Sequence, residues 1–269
     1  MKIWIRNTLV AAAACTSGVA SAQDAQNADA LAKQLSNPVA ALISVPFQLN
    51  WDTELGPQDE GERISLNVQP VVPISIGPEW NLISRTILPI IDQSDVIAGS
   101  GSQSGLGDTT QSVFFSPKAQ TASGWIVGAG PVFLLPTATD DLLGSEKWGA
   151  GPTAVALKQT PTGLTYGALV NHIESFAGSD ARADVSATFL QPFVSQALGQ
   201  GRTATLNLES TYDWEAGQWT VPLNLSYSKV TKFGSQLVSL SAGARYYLEK
   251  PDNGADWGVR VVFTLLFPR

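Results

Sequence analysis

The sequence predicts an all-β fold: a closed antiparallel transmembrane β-barrel of about twelve strands, preceded by a short N-terminal helix. Three observations predict it. Apolar and polar residues alternate along most of the chain, and tryptophans lie at the ends of the alternating segments. In addition, only 14% of the residues are charged, whereas 44% are hydrophobic. Alternation with a period of two is typical of β-strands whose two faces meet different surroundings.

The first 22 residues predict a secretory signal peptide. Lys2 and Arg6 precede a short apolar core, and Ala20–Ala22 supplies the small residues of a cleavage site. A membrane anchor would need about 20 apolar residues, more than this core contains. Cys15 is the only cysteine, so the mature chain can form no disulfide. Loss of Lys2 and Arg6 changes the net charge from −7 to −9. With no basic patch, nucleic acid is not an expected partner.

Residues 23–39 are predicted to form a short helical segment, and residues 40–269 the barrel. The centre of the first segment, Ala28–Leu35, is rich in Ala and Leu, and Asn37-Pro38 follows it as a stop signal. Strands are predicted near 40–51, 63–76, 79–91, 106–117, 124–136, 148–160, 164–176, 185–198, 203–214, 218–231, 236–249 and 257–267. Strands of soluble domains are usually about 5–6 residues long. The predicted strands reach or exceed the roughly 9–11 residues that a tilted membrane crossing needs.

The connections alternate in length and carry most of the acidic residues. The longer ones are predicted at 52–62, 92–105, 137–147, 177–184, 213–218 and 250–256. They contain only three basic residues, Lys147, Arg182 and Lys250. Outer-membrane barrels have short turns at the periplasmic end and longer loops at the other. The sequence therefore predicts that the long acidic connections lie at the end of the barrel opposite the periplasm.

A soluble β-sandwich also alternates, with its apolar face turned inward. Tryptophan placement favours the barrel, because membrane barrels carry aromatic girdles at the headgroup level whereas a sandwich buries large rings centrally. The opposite strand faces are mostly Ser, Thr, Asn and Gln, which suits a wet lumen better than a soluble exterior. The tryptophans of the mature chain, all predicted to lie at the membrane interface, are Trp51, Trp80, Trp125, Trp148, Trp214, Trp219 and Trp257.

Prolines inside the predicted strands oppose this interpretation, because proline cannot donate to a ladder and a closed barrel has no free edge. Bulges or sharp bends are therefore expected at these positions. The prolines are Pro46, Pro70, Pro73, Pro89, Pro131, Pro152, Pro192 and Pro222.

Four charged residues are predicted to face the lumen and contact the substrate: Arg85, Glu209, Arg245 and Arg260. In the last strand, Trp257 to Phe267, the apolar face points to lipid and Arg260 points inward. A turn centred near Asn253 would place Arg245 opposite Arg260, with Glu209 at the same level. Two adjacent arginines need an acid or an anion beside them. The cluster is either a selectivity constriction or a ladder that stiffens the wall.

His172 is the only histidine, and Ser175 follows it three residues later. In an unbroken strand the two side chains lie on opposite faces, so no pair of nucleophile and base is predicted. One histidine and no cysteine make a poor metal site, and no cofactor is expected. The acidic segment at 139–141 is interpreted as a solvated loop.

Several segments resemble a bacterial family of outer-membrane transporters named for a phenol-degradation (meta) pathway, often mislabelled as neuromedin-like. They are "LSNPVAALISVPFQLNWD", "GLGDTTQSVFFSP", "GAGPVFLLPTATDDLLGSEKWGAGPT", "YDWEAGQWTVPLNL", "GARYYLEKPDNGADWGVR" and the closing "LFP". The resemblance implies an outer-membrane barrel associated with the uptake of small compounds, with aromatic or hydrophobic ones as candidates. An aromatic last strand also resembles the signal read by the barrel-assembly machinery, although Pro268 and Arg269 follow Phe267 here.

The predicted function is a passive outer-membrane channel for a small molecule. Its partners are the solute, outer-membrane lipid with lipopolysaccharide, and the barrel-assembly machinery. A barrel of this size is narrower than the general porins, and the helix either plugs it or lies at its mouth. A non-conducting structural or surface-binding barrel is the alternative, and a hydrolase is a third hypothesis that no visible triad supports.

Overall fold

The computed structural model describes residues 26–268, which form a closed antiparallel barrel of twelve strands and one helix, α1, at 26–35. The predicted signal peptide, 1–22, lies outside the described residues. Three barrel strands are interrupted, so that β2–β3, β5–β6 and β11–β12 each make one strand. The segments are β1 (Ile43–Leu55), β2 (Gly61–Val68), β3 (Val71–Ser75), β4 (Trp80–Ser94), β5 (Ser102–Leu106), β6 (Thr109–Pro117), β7 (Trp125–Leu135), β8 (Lys147–Gln159), β9 (Leu164–Gly178), β10 (Ser186–Gly199), β11 (Arg202–Leu208), β12 (Ser210–Asp213), β13 (Gln218–Phe233), β14 (Gln236–Glu249) and β15 (Trp257–Phe267).

The barrel closes where the last strand pairs with the first. The β1–β15 ladder runs without a break from Ile43 opposite Phe267 to Thr53 opposite Trp257. On the outer surface of this seam, the rings of Trp51 and Trp257 meet edge to face at 6.4 Å. Closure leaves no free sheet edge, as a β structure in hydrocarbon requires. The predicted pairing of the first and last strands is confirmed.

Helix α1 lies inside one end of the barrel. Ala28, Leu31, Ala32 and Leu35 form one apolar face, with the spacing expected of an amphipathic helix. This face packs on inward-pointing residues of β13, β14 and β15, namely Val230, Leu237 and Leu266. The Asp29 carboxylate also accepts a hydrogen bond from the backbone N–H of Gly201. In residues 26–268, no helix is long and apolar enough to cross a membrane.

The segment after α1 fills the other half of the same end. The Asn37 side chain accepts a hydrogen bond from the Val39 backbone N–H at 3.0 Å and turns the chain toward β1. Val39 then packs among buried apolar residues that point inward from the surrounding strands, which are Ile83, Phe114, Val155, Leu157 and Leu169. This end therefore holds an apolar plug, and the sequence alternative of a helix merely at the mouth is excluded.

Each of the three strand interruptions lies opposite a proline. At each one, a backbone N–H donates to a proline carbonyl: Gln69 to Pro46 at 2.9 Å, Gly107 to Pro89 at 2.9 Å, and Glu209 to Pro222 at 3.1 Å. A register shift between Val221 and Pro222 marks a further bulge. The expected irregularities are thus present there. Pro131 and Pro152 pair with each other in a regular β7–β8 ladder, but the β6–β7 ladder is interrupted at Pro131 and the β8–β9 ladder at Pro152. The β3–β4 ladder is regular at Pro73, which pairs in register with Ile83.

Connections at the two ends differ less in length than the sequence suggested. The short-turn end comprises 76–79, 118–124, 160–163, 200–201 and 234–235, and the long-loop end 56–60, 95–101, 136–146, 179–185, 214–217 and 250–256. The predicted loops 52–62, 92–105 and 213–218 were too long, because β1, β2, β4, β5 and β12 extend into them. Their outer parts are mostly polar on both faces, so apolar alternation does not mark where these strands end.

The outer surface of the barrel is an apolar belt bordered by aromatic residues. Leu225, Leu240 and Val261 are 60%, 50% and 49% exposed although they lie within strands. Trp80 and Trp125 lie at the short-turn end, and the other five tryptophans of the mature chain lie toward the long-loop end. Six of the seven are exposed, and Trp125 is half-buried. This distribution is typical of a wall that faces lipid.

Substituting Val261→Arg tests this assignment of faces. Arginine at mid-depth on the lipid side is expected to lower the free energy of unfolding by about 2–4 kcal/mol. Val262→Arg is the matched control, because this neighbouring side chain lines the lumen, where water solvates the guanidinium. The free energy of unfolding of each variant is measured by urea titration of protein refolded into vesicles, with tryptophan fluorescence as the signal. Equal losses for the two variants would contradict the assignment.

Candidate functional site

The hairpin β14–β15 carries two inward-pointing arginines on neighbouring levels. Gly243 pairs with Arg260, and Arg245 pairs with Gly258. The prediction that the two arginines face each other was therefore wrong by two positions. The turn is centred at 251–252, because Gly254 N–H donates back to the Pro251 carbonyl and tightens the connection.

Each arginine thus has a glycine as its cross-strand partner, in a G-x-R pattern repeated on both strands. A Cβ atom on Gly258 would lie 2.4 Å from Oδ1 of Asp52, and one on Gly243 would lie 2.3 Å from the Leu225 carbonyl oxygen. Real Cβ atoms do not approach so closely. The glycines therefore let strands and charged side chains come together where the arginines point inward.

Arg260 and Glu209 form a bidentate ion pair across the lumen. Nη1 and Nη2 of Arg260 each donate to one carboxylate oxygen of Glu209 at 2.7 Å. Nε of Arg260 donates to Asn50 Oδ1 at 2.7 Å, and Asn50 in turn donates to Ser65 at 3.3 Å. The side chains of Arg260 and Glu209 are only 9% and 20% exposed. Charge-assisted bidentate pairs of this kind are strong and fix orientation.

Arg245 forms a second ion pair with Asp52, not with Glu209. Nη1 of Arg245 donates to Oδ2 of Asp52 at 3.1 Å, and its guanidinium carbon lies 5.3 Å from the ring centre of Tyr247. Sequence reasoning missed Asp52 because it assigned this residue to a loop. Alternation could have found it, since Asp52 continues the inward face of Gln48 and Asn50 on β1.

Arg85 is the fourth predicted residue, and it stands apart from both pairs. Its Nη2 donates to Gln69 at 3.3 Å, and it forms no ion pair within the described part of the chain. Arg63, which was not among the predicted site residues, donates to Gln93 at 2.8 Å. Asp52 is its cross-strand partner, but Arg63 likewise forms no ion pair in the described residues. The four inward arginines therefore outnumber Asp52 and Glu209, and this charged layer has an excess of positive charge.

A polar cavity of about 290 Å³ lies between the charged layer and α1. Hydroxyl and amide side chains dominate its wall, including Gln48, Gln69, Gln191, Ser195, Thr203, Thr205, Asn207, Ser226, Ser228, Ser239, Ser241 and Thr264. Phe193 and Val262 add apolar surface. A second cavity of about 200 Å³ joins Arg85 and Gln69 to Leu35 on α1. The lumen can therefore hold water and small polar or amphipathic molecules next to a guanidinium.

The loops at the long-loop end are tied to the strands by charged side chains. Lys147 donates to Asp184 at 2.9 Å, and this hydrogen bond holds the pKa of the Asp184 carboxyl below its ordinary value. The tether is complete above the ordinary carboxyl pKa and is lost as the pH falls through the lowered one. Asp108 accepts hydrogen bonds from the backbone N–H and the hydroxyl of Ser145, both at 2.6 Å, which anchors 136–146.

His172 points outward and has neighbours that the sequence did not reveal. Its Nδ1 lies 2.9 Å from the Thr188 hydroxyl, and its Nε2 lies 3.4 Å from the Glu174 carboxylate. Ser175 instead contacts Asp184 at 3.3 Å. A hydroxyl beside a histidine is the arrangement of a nucleophile and its base, but a hydrolase also needs free backbone N–H groups to bind the oxyanion. Thr188 lies in regular ladders with β9 and β12, so hydrogen bonds of the sheet occupy the backbone N–H groups there. Among residues 26–268, no three His, Cys, Asp or Glu side chains are grouped so that they could hold a metal ion.

The Arg260–Glu209 pair is expected to stabilise the folded barrel. Arg260→Gln leaves a buried carboxylate without its partner and is expected to cost about 3–5 kcal/mol of unfolding free energy. The double variant Arg260→Gln/Glu209→Gln removes both charges and is expected to recover much of the loss. Denaturant unfolding of the wild type, Arg260→Gln, Glu209→Gln and the double variant gives the four free energies of a double-mutant cycle. Additive losses would show that the two residues are not coupled.

The barrel resembles those of bacterial outer-membrane proteins. A crystal structure of an outer membrane channel from Pseudomonas putida F1 superposes with a TM-score of 0.65 at 14% identity, covering 84% of this chain and 96% of that chain. Escherichia coli outer membrane phospholipase A gives 0.49 at 11% identity, covering 83% and 90%. The β domain of a Bordetella autotransporter gives 0.48 at 11%, covering 84% and 100%. No protein-family model matches the chain, and no curated protein matches it. The likeness to the Pseudomonas putida channel shows the fold.

Proposed function

We propose that this chain is a bacterial outer-membrane channel for the passive uptake of a small molecule, with its short-turn end in the periplasm. The observation that carries the proposal is a polar cavity beside a charged layer, enclosed by a wall whose outer face is apolar. A wall of this kind is the arrangement of a membrane pore lumen. The fold likeness to the Pseudomonas putida channel supports it.

The size of the cavity limits the solute. Pockets that take drug-sized ligands enclose about 300–1,000 Å³, and the cavity here has about 290 Å³. A molecule of one ring or a short chain fits this space. Twelve strands also enclose a narrower lumen than the 16–18 strands of general porins, roughly. The channel is therefore selective and not a route for bulk flow.

The charged layer would favour anions. Arg245 and Arg260 are each paired with an acid, whereas Arg63 and Arg85 form no ion pair in the described residues, so the four arginines carry more charge than Asp52 and Glu209 balance. Rings of basic side chains select anions in other pores. The four predicted lumen residues, Arg85, Glu209, Arg245 and Arg260, are thus proposed to line a selectivity constriction.

An aromatic or hydrophobic solute is the finer part of the proposal. It rests on the resemblance of the sequence motifs to transporters named for phenol degradation. Phe193 and Val262 on the wall, with Leu35 on α1, offer apolar surface to a ring inside an otherwise polar cavity. Arg85 borders the adjoining cavity, so a small aromatic molecule with an acidic group combines both features.

A non-conducting barrel is the second candidate function. The observation that favours it is the apolar plug at the short-turn end, where Leu31 and Ala32 are 6% and 4% exposed against the wall. In this case the barrel would serve as a structural or surface-binding protein, and the lumen would be closed in the resting state.

Loosening the plug distinguishes the two functions. Leu31→Asp places a charge in the contact between α1 and the wall and is expected to raise single-channel conductance in planar bilayers. Ala30→Asp introduces the same charge on the exposed face of the helix and serves as the control. The absence of conductance in the wild type and in Leu31→Asp alike would support the non-conducting barrel.

Arg85→Gln tests the origin of ion selectivity. Removal of this positive charge, which forms no ion pair in the described residues, is expected to shift the reversal potential in a KCl gradient toward lower anion preference. Lys158→Gln, on the outer wall, removes an equal charge without touching the lumen. An unchanged reversal potential in Arg85→Gln would contradict the proposed role.

The solute class can be tested by current block. Millimolar benzoate is expected to reduce chloride current more than cyclohexanecarboxylate, which has equal charge and similar size but no aromatic ring. Acetate controls for charge alone. Equal block by benzoate and cyclohexanecarboxylate would indicate a hydrophobic site, and no block by either would overturn both parts of the solute proposal.

A further inference from the structure

Charged residues on the outer wall are sorted by sign along the barrel axis. Strand alternation places six of them on the same faces as exposed apolar residues such as Ile64, Val170 and Leu206. Those toward the long-loop end are Glu62, Asp92 and Glu174, and those toward the short-turn end are Lys158, Arg202 and Lys229. The two borders of the apolar belt therefore offer opposite charges to the surrounding lipid headgroups.

Arg202 and Lys229 form the densest part of the basic border. They are direct partners across the β11–β13 ladder. Like charges at such positions destabilise a sheet unless something neutralises them. Nε of Arg202 donates to the Gly199 carbonyl at 3.0 Å. Within residues 26–268, its other guanidinium nitrogens and the Lys229 ammonium have no hydrogen-bond acceptor, and neither residue forms an ion pair.

The wall beside this pair suits a lipid chain. Lys229 also pairs with Leu240, which is 50% exposed. Tyr227 is the next outward residue toward the middle of the wall and is 48% exposed, and Leu206, one outward position further on the neighbouring strand, is 41% exposed. Two cations at the headgroup level with apolar surface running away toward the bilayer centre match a molecule that has an anionic head and an acyl tail.

We propose that Arg202 and Lys229 bind the phosphate of an anionic phospholipid in the leaflet at the short-turn end. The guanidinium nitrogens and the ammonium donate to the two unesterified oxygens of the phosphodiester, and the acyl chain lies along Tyr227 and Leu240. The acidic border at the other end repels the same headgroup. The inference rests on the placement of the barrel in a bilayer and not on conduction, so a failure of either proposal leaves the other standing.

Lipid retention tests the proposal. The full-length protein is refolded in vesicles that contain equal amounts of phosphatidylglycerol and phosphatidylcholine, extracted with mild detergent, and analysed by native mass spectrometry. The wild type is expected to retain phosphatidylglycerol preferentially. Arg202→Gln and Lys229→Gln are each expected to weaken this preference about fivefold, since one basic residue near an anionic surface contributes about that factor.

Lys33→Gln is the control, because this exposed lysine lies on α1 and not on the lipid-facing wall. It is expected to retain the wild-type preference. Each variant is also assayed for urea unfolding in pure phosphatidylcholine, so that a loss of lipid binding is separated from a loss of folding. Equal retention of the two lipids by the folded wild type, or an unchanged preference in the folded Arg202→Gln/Lys229→Gln variant, would overturn the proposal.

Discussion

The constraint on which the structure depends is that hydrocarbon supplies no hydrogen-bond partners to a polypeptide backbone. A sheet in such surroundings must close, and here the ladder of β1 with β15 closes it. Proline within a strand disturbs this pairing, because it has no backbone N–H to donate. At each of the three interruptions, a backbone N–H of the interrupted strand donates to a proline carbonyl on the neighbouring strand. Closure is thereby maintained although the ladders are not perfectly regular.

The interior is organised in two layers with opposite chemistry. At the short-turn end, α1 and Val39 bury apolar side chains against the inward faces of the strands. Nearer the other end, arginines are held by carboxylates and amides, and glycine partners make room for them. A polar cavity separates the layers. The apolar layer closes the short-turn end, whereas the charged layer contains both the proposed selectivity constriction and the Arg260–Glu209 pair that is expected to stabilise the fold.

Much of this could be predicted from alternation. Strand number, barrel closure, the lipid-facing stripe of β15 and the inward direction of Arg260 and Glu209 all follow from a period of two combined with end-placed tryptophans. Register was less accessible, because it depends on turn geometry: the hairpin bend lies at 251–252, so Arg245 meets Asp52 rather than Glu209. Asp52 was missed because strand extensions beyond the membrane are polar on both faces and look like loops.

The path of the chain between α1 and β1 has a consequence for biogenesis. Residues 36–42 lead directly from the enclosed helix into β1, and the other edge of β1 is the seam with β15. The first strand synthesised is thus covalently joined to the object that the finished cylinder surrounds. Placement of α1 in the lumen is therefore coupled to the placement of β1, whose pairing with β15 seals the wall.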